Sequence, residues 1–154
     1  VAARRGLTRR QFAATLVMLV VFKGRVLALQ IGDSALVARK AGVWEALCWP
    51  ENGEFASTTY FVTDDPEVRL RTFNLNLEYD AFALFSDGLE SVALEQATQQ
   101  PFARFFDPMI KPVDQVVMEG RLVELSGALA RYLNSPALCE RTDDDKTLIL
   151  VSCR

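Results

Sequence analysis

The chain of 154 residues contains no histidine. That absence excludes a Ser-His-Asp triad, a Cys-His pair and an HExxH zinc site built from this chain alone. Acid–base or metal chemistry must come from carboxylates, thiols, lysine, tyrosine or backbone groups, and Asp plus Glu number 20. Cysteine is nearly as scarce. Cys48, Cys139 and Cys153 form an odd, sparse set without CxxC spacing, which argues against a disulfide framework, a cysteine zinc site and a thioredoxin-type motif. They read as buried structural thiols in a reducing, cytoplasmic setting. A membrane-length apolar run is lacking too: the stretch from Phe12 to Phe22 is far shorter than the roughly 20 residues that span a bilayer. Thr8-Arg9-Arg10-Gln11-Phe12 before it resembles a twin-arginine export signal. However, no A-x-A site follows, and the apolar pattern resumes after Lys23-Gly24 as a second strand. No membrane association is expected.

What is present describes a folded domain. Half the residues are hydrophobic, and Lys plus Arg (17) against Asp plus Glu (20) leaves a net charge of −3. One domain spanning 1–154 is expected, able to bury roughly 68–70% of the surface of its unfolded chain. Basic residues concentrate at the start, where Arg4, Arg5, Arg9, Arg10, Lys23 and Arg25 precede the first carboxylate, Asp33. Aromatic–basic interleaving is absent and the remainder is acidic, so no nucleic-acid partner is expected.

Residues 7–14 read as the end of a helix. Thr15–Phe22 and Val26–Ile31 are apolar, β-rich runs joined at Lys23-Gly24, a hairpin signal. Ala35–Arg39 and Val43–Leu47 repeat the pattern around Ala41-Gly42. A turn-rich loop follows at Trp49-Pro50-Glu51-Asn52-Gly53-Glu54, then a β-rich run at Thr58–Thr63. Phe73, Leu75 and Leu77 share one face of another strand. Ala81–Phe85 and Leu148–Val151 are continuously apolar and read as strands buried on both sides. Pro101 opens a short helix through Phe106. Leu122, Leu125, Leu129 and Leu133 recur at helical spacing, stopped by Asn134 and Pro136. Hairpins with segregated helices argue an α+β fold with antiparallel sheets.

Three acidic sites adjoin these strands. Val26–Ile31 ends in Gly32-Asp33-Ser34, Ala81–Phe85 ends in Ser86-Asp87-Gly88, and Thr142-Asp143-Asp144-Asp145-Lys146-Thr147 leads into Leu148–Val151. Each alone is a common turn, since Asp and Ser bond their own backbone. If the last strand lies antiparallel beside the other two, its start meets their ends. Asp33, Asp87 and one of Asp143–Asp145 then converge. Clustered carboxylates repel one another and call for a cation, and hard oxygen ligands suit Mg²⁺ or Mn²⁺.

Taken in order, these motifs resemble the metal-dependent PP2C-type (PPM) Ser/Thr protein phosphatases. Val26–Ser34 is similar to that family's "(V/I)GDS" strand, Leu84–Leu89 to its "SDGL" motif, and Asp144–Thr147 with Leu148–Val151 to its closing "D-N/D-x-T" strand. Ala14-Thr15 resembles the family's small-residue–Thr step. Trp49–Glu54 with Thr58-Thr59-Tyr60-Phe61 resembles a bacterial branch. The likeness runs from about residue 7 to the end of the chain. It implies an α-β-β-α sandwich of two antiparallel sheets flanked by helices. It also implies two Mg²⁺ or Mn²⁺ ions held by Asp87 and Asp144, with Asp33 helping to hold a weaker third. The implied activity is hydrolysis of phosphoprotein substrates by metal-activated water, with no catalytic residue separate from the metal ligands.

The family's opening strand and its "DG" segment, which carries the aspartate bridging both metals, have no match here. The resemblance therefore implies the C-terminal portion of such a domain, with an incomplete sheet that invites homodimerisation. Ser91 stands where many members repeat an aspartate, and Asp145 where many have Asn. The alternative function is a catalytically inactive PP2C-like regulatory or binding domain. An unrelated Mg²⁺-dependent phosphohydrolase acting on small molecules is compatible with the carboxylates but not with the motif order.

Overall fold

In the computed structural model, residues 3–51, 59–64, 66–76 and 78–153 are described. Short 3-10 turns at Ala3–Arg5 and Arg9–Phe12 precede the strands β1 (Leu16–Phe22), β2 (Arg25–Ile31), β3 (Ala35–Lys40) and β4 (Val43–Cys48). Next come β5 (Arg71–Asn76) and β6 (Ala81–Phe85), then a 3-10 turn at Asp87–Leu89 that runs into α1 (Glu90–Ala93). A two-residue ladder of β7 (Leu94–Glu95) and β8 (Gln100–Pro101) leads to α2 (Ala103–Asp114), α3 (Val123–Leu133), α4 (Pro136–Cys139) and β9 (Leu148–Ser152). The α+β class with antiparallel sheets and helices is as the sequence implies.

The chain divides into two compact units, Val1–Ala35 with Cys48–Leu77, and Leu36–Leu47 with Glu78–Arg154. The first holds a three-stranded antiparallel sheet in the order β1-β2-β5. β1 meets β2 from Leu16↔Ile31 to Phe22↔Arg25, and β2 meets β5 from Arg25↔Asn76 to Gln30↔Arg71. The hairpin turn joining β1 to β2 has positive φ at Lys23 (46°) as well as Gly24 (76°), the backbone twist that favours two-residue hairpins. Val26, Ala28 and Gln30 are fully buried along one face of β2. Phe73 and Leu75 share the half-buried face of β5, as their spacing predicts; Leu77 lies outside the described residues.

The second unit holds a four-stranded sheet in the order β4-β3-β6-β9. All five residues of β6 are buried, matching its continuously apolar sequence. β9 pairs antiparallel with β6 from Ala81↔Ser152 to Phe85↔Leu148. It is not buried on both sides: Ile149 is 53% exposed, because β9 is the edge strand and covered less than β6. The core of this unit gathers around Phe106, whose ring lies 4.9 Å from that of Trp44, 5.1 Å from Phe105 and 5.7 Å from Phe85.

The helices depart most from the sequence reading. α2 does not stop at Phe106 but continues through Pro108 and Pro112 to Asp114. Each proline removes one N–H bond to the carbonyl four residues back. Pro108, Pro112 and Arg104 are exposed, so the orphaned carbonyls face water while Phe106 and Ile110 stay buried on the opposite face. α3 ends as expected at Asn134, whose side-chain amide donates to the Ala130 carbonyl at 2.8 Å. Pro136 then serves as the first residue of α4, where a missing N–H costs nothing. The helix end expected at residues 7–14 is only a 3-10 turn, with the Gln11 side chain accepting the Thr8 N–H at 2.8 Å. Thr59–Thr63 forms no strand beyond a bridge at Thr59; Asp64 accepts the Phe61 N–H at 2.8 Å and closes a turn there. Residues 52–58, which include Asn52-Gly53-Glu54 of the turn-rich loop, lie outside the described residues.

Candidate functional site

Asp87 follows β6 and Asp144 precedes β9, and the register Phe85↔Leu148 brings these two strand ends side by side. The connecting turns are then clasped to each other. The Ser86 N–H donates to the Thr147 carbonyl at 3.2 Å, and the Thr147 N–H donates to Ser86 Oγ at 3.1 Å. Ser86 Oγ in turn donates to the Asp145 carbonyl at 3.2 Å. Gly88 is where the turns approach most closely. A Cβ built on it would fall on the Asp145 carbonyl oxygen, 3.1 Å from the carbon of that group and 3.4 Å from Asp144 Cβ. No side chain fits, so glycine is required there by close approach.

Both carboxylates are exposed, and each is steadied by a neighbouring backbone amide. Asp87 Oδ1 accepts the Gly88 N–H at 2.9 Å, and Asp144 Oδ1 accepts the Asp145 N–H at 2.8 Å. Beside Asp144 an open groove of about 330 Å³ is lined by Leu133, Asn134, Asp144, Asp145, Lys146 and Thr147. The donor set suits a hard cation: Mg²⁺ is held through one or two carboxylates and keeps several waters. Among the described residues, no group of three or more Cys, Asp or Glu is arranged to hold a metal ion.

Asp33 belongs to the first unit, just after β2. Its turn is tightly specified. Gly32 has φ +88°, and a Cβ there would lie 2.6 Å from both Thr15 Cγ2 and the Tyr60 carbonyl oxygen. The fully buried Gln30 amide donates to the carbonyls of Ser34 and Trp49 at 2.8 Å each. Ser34 Oγ and Thr15 Oγ1 lie 3.2 Å apart within hydrogen-bonding distance. The Thr15 step noted in the sequence thus braces the Asp33 turn. The expectation that the last strand lies beside both other strands does not hold: β9 pairs with β6, whereas both edges of β2 are taken by β1 and β5.

Of the thiols, only Cys48 is buried; Cys153 is half-buried and Cys139 exposed. Burial pushes the Cys48 thiol up to about 12, with Arg71 opposing. Burial, followed by the Asp80 charge, also raises Cys153. Both stay protonated near neutral pH and are unsuited to nucleophilic attack.

Sequence reasoning singled out the carboxylates but missed the residues that place them. Ser86 reads as one more turn residue, and its partners are about 60 residues downstream. Lys146 sits between recognised positions and draws no attention by itself.

A family model described as protein phosphatase 2C matches residues 1–126. The chain is 36% identical over 150 residues to serine/threonine-protein phosphatase 3 of Escherichia coli, covering 97% of this chain and 59% of that protein. It is similar in fold to a crystal structure of a bacterial serine phosphatase, with TM-score 0.60 and 20% identity over 91% of this chain and 57% of the other. PppA of Pseudomonas aeruginosa is similar with TM-score 0.61 and 19% identity, over 97% of this chain and 60% of the other. The chain thus spans about three-fifths of the length of the curated relative.

Proposed function

The chain belongs to the protein phosphatase 2C family, and on that premise we propose that residues 1–154 are a portion of one metal-dependent protein serine/threonine phosphatase domain. The observation that supports this reading is the clasp that joins the turns carrying Asp87 and Asp144 at the ends of β6 and β9. In this reading Asp87 and Asp144 hold Mg²⁺ or Mn²⁺, and Asp33 contributes to a weaker ion. A bound cation of this kind activates water and neutralises phosphate charge. The chain's own residues supply placement. Ser86 fastens the two ligand turns, Gly88 lets them close, and the exposed carboxylate pair leaves room for a phosphorylated side chain. The substrate is a phosphoserine or phosphothreonine protein, consistent with the name of the E. coli relative.

The test is hydrolysis of para-nitrophenyl phosphate with and without Mn²⁺, measured on the protein as its gene encodes it and on its Asp87→Ala variant. The expected result is Mn²⁺-dependent turnover that falls to the metal-free background in Asp87→Ala. Equal rates for the two proteins would sink the proposal and leave a phosphatase-like binding module in its place.

A further inference from the structure

The loop from Thr142 to Thr147 carries three successive carboxylates, Asp143, Asp144 and Asp145. Like charges this close favour an open loop, yet here the loop is folded on itself. Ser86 anchors its far end through the Asp145 carbonyl and the Thr147 N–H. At its near end the Asp144 N–H reaches Thr142 Oγ1 only at 3.4 Å. Lys146 closes what remains. Its ammonium turns back over the loop and donates to the Asp144 carbonyl at 3.0 Å and to the Thr142 carbonyl at 3.4 Å. The side chain is half-buried and forms part of the groove beside Leu133 and Asn134.

The geometry points to Lys146 as a positioning residue for the Asp144 carboxylate, a role that rests on the metal-dependent reading above. By holding the carbonyls of Thr142 and Asp144, the ammonium restrains the peptide plane that follows the proposed ligand and the one between Thr142 and Asp143. A long lysine chain gives up much rotamer freedom to do this, which the two charge-assisted bonds offset. Its positive charge also relieves repulsion among the three aspartates. The same charge opposes an incoming cation, so the sign of a mutational effect separates the two influences. If positioning dominates, removing the ammonium weakens metal binding. If repulsion dominates, removal strengthens it.

The experiment compares the whole protein with Lys146→Met and Lys146→Arg. Mn²⁺ affinity is read by calorimetry and metal-free amide exchange by mass spectrometry. Lys146→Met is expected to weaken Mn²⁺ binding about tenfold, the lower end of what outer partners of metal ligands contribute. Lys146→Arg, which keeps a charge and several N–H donors, is expected to recover most of that loss. Without metal, Lys146→Met is expected to speed exchange in residues 142–147 and leave β6 unchanged. Unchanged or tighter Mn²⁺ binding in Lys146→Met would overturn the role, as would unchanged loop exchange. A wild-type protein that binds no Mn²⁺ contradicts the phosphatase reading instead, and the exchange comparison then still decides whether Lys146 orders the loop.

Discussion

Gly88→Ala is expected to lower Mn²⁺-dependent turnover about a hundredfold while leaving the global fold largely intact. The added methyl would overlap the Asp145 carbonyl oxygen and crowd the carbon of that group at 3.1 Å. The obstacle is backbone, which cannot swing aside as a flexible side-chain tip can. The Asp87 and Asp144 turns must separate by roughly an ångström, and displacements of that size cost catalytic sites about a hundredfold. The clasp through Ser86 would weaken at the same time, because its partners belong to the same displaced loop. Backbone φ is not at issue here, unlike at Gly32. Steady-state kinetics with Mn²⁺ checks the activity loss, and thermal melting checks the fold. Wild-type turnover in Gly88→Ala would mean that the two turns need not stay in contact.

Phe106→Ala is expected to destabilise the protein by about 3–5 kcal/mol, the usual cost of emptying a buried phenylalanine site. Phe106 is fully buried, and its ring packs against Trp44, Phe85 and Phe105. Those neighbours cannot easily collapse into the void. Trp44 is held by its indole N–H donating to Asp107 Oδ1 at 2.8 Å, and Phe85 by its place in the buried strand β6. Set against a typical total stability of about 5–15 kcal/mol, the change approaches unfolding. Phe85 directly precedes Ser86-Asp87, so the loss should also loosen the candidate site. Urea denaturation with an unchanged slope and a lower midpoint checks this; a midpoint within error of wild type would contradict it.

The parts of the fold legible in the sequence were those governed by local patterning. Lys23-Gly24 between two apolar runs reads as a hairpin because the turn chemistry and the strand periodicity agree. Ala81–Phe85 reads as buried because no polar residue interrupts it. α2 was not legible in full, because Pro108 and Pro112 look like stops. Only the structure shows both on the exposed side of one continuous helix, where water can serve the lost bonds. Thr59–Thr63 misleads in the opposite direction. Its β-branched and aromatic residues favour a strand, but the Asp64 side chain captures the Phe61 amide and makes a turn. The edge position of β9 was also hidden, since an apolar run does not state how many neighbours a strand has.

The candidate site divides along the same line. Asp87 and Asp144 stand out because they flank apolar strands within recognisable motifs. The meeting of the turns that carry them follows from the antiparallel pairing of β6 with β9, which sequence order permits without dictating. The contacts of Ser86 with Asp145 and Thr147 and the close approach at Gly88 are long-range facts with no local signature. Asp33 is different again. Its turn is explained by Gly32, Thr15, Ser34 and Gln30 within its own unit, residues that all adjoin or belong to the strands read from the sequence.

The central claim is that Asp87 and Asp144 share a cation, and a Mn²⁺ titration by calorimetry on four proteins tests it most directly. The four are the wild type, Asp87→Asn, Asp144→Asn and the double variant, all carrying the natural flanking sequence. Each single change should weaken binding at least tenfold, no less than loss of an outer partner does. The double variant should lose less than the sum of the two, because contacts to one shared ion are coupled. Strictly additive losses, or affinity unchanged by either substitution, would contradict a shared site.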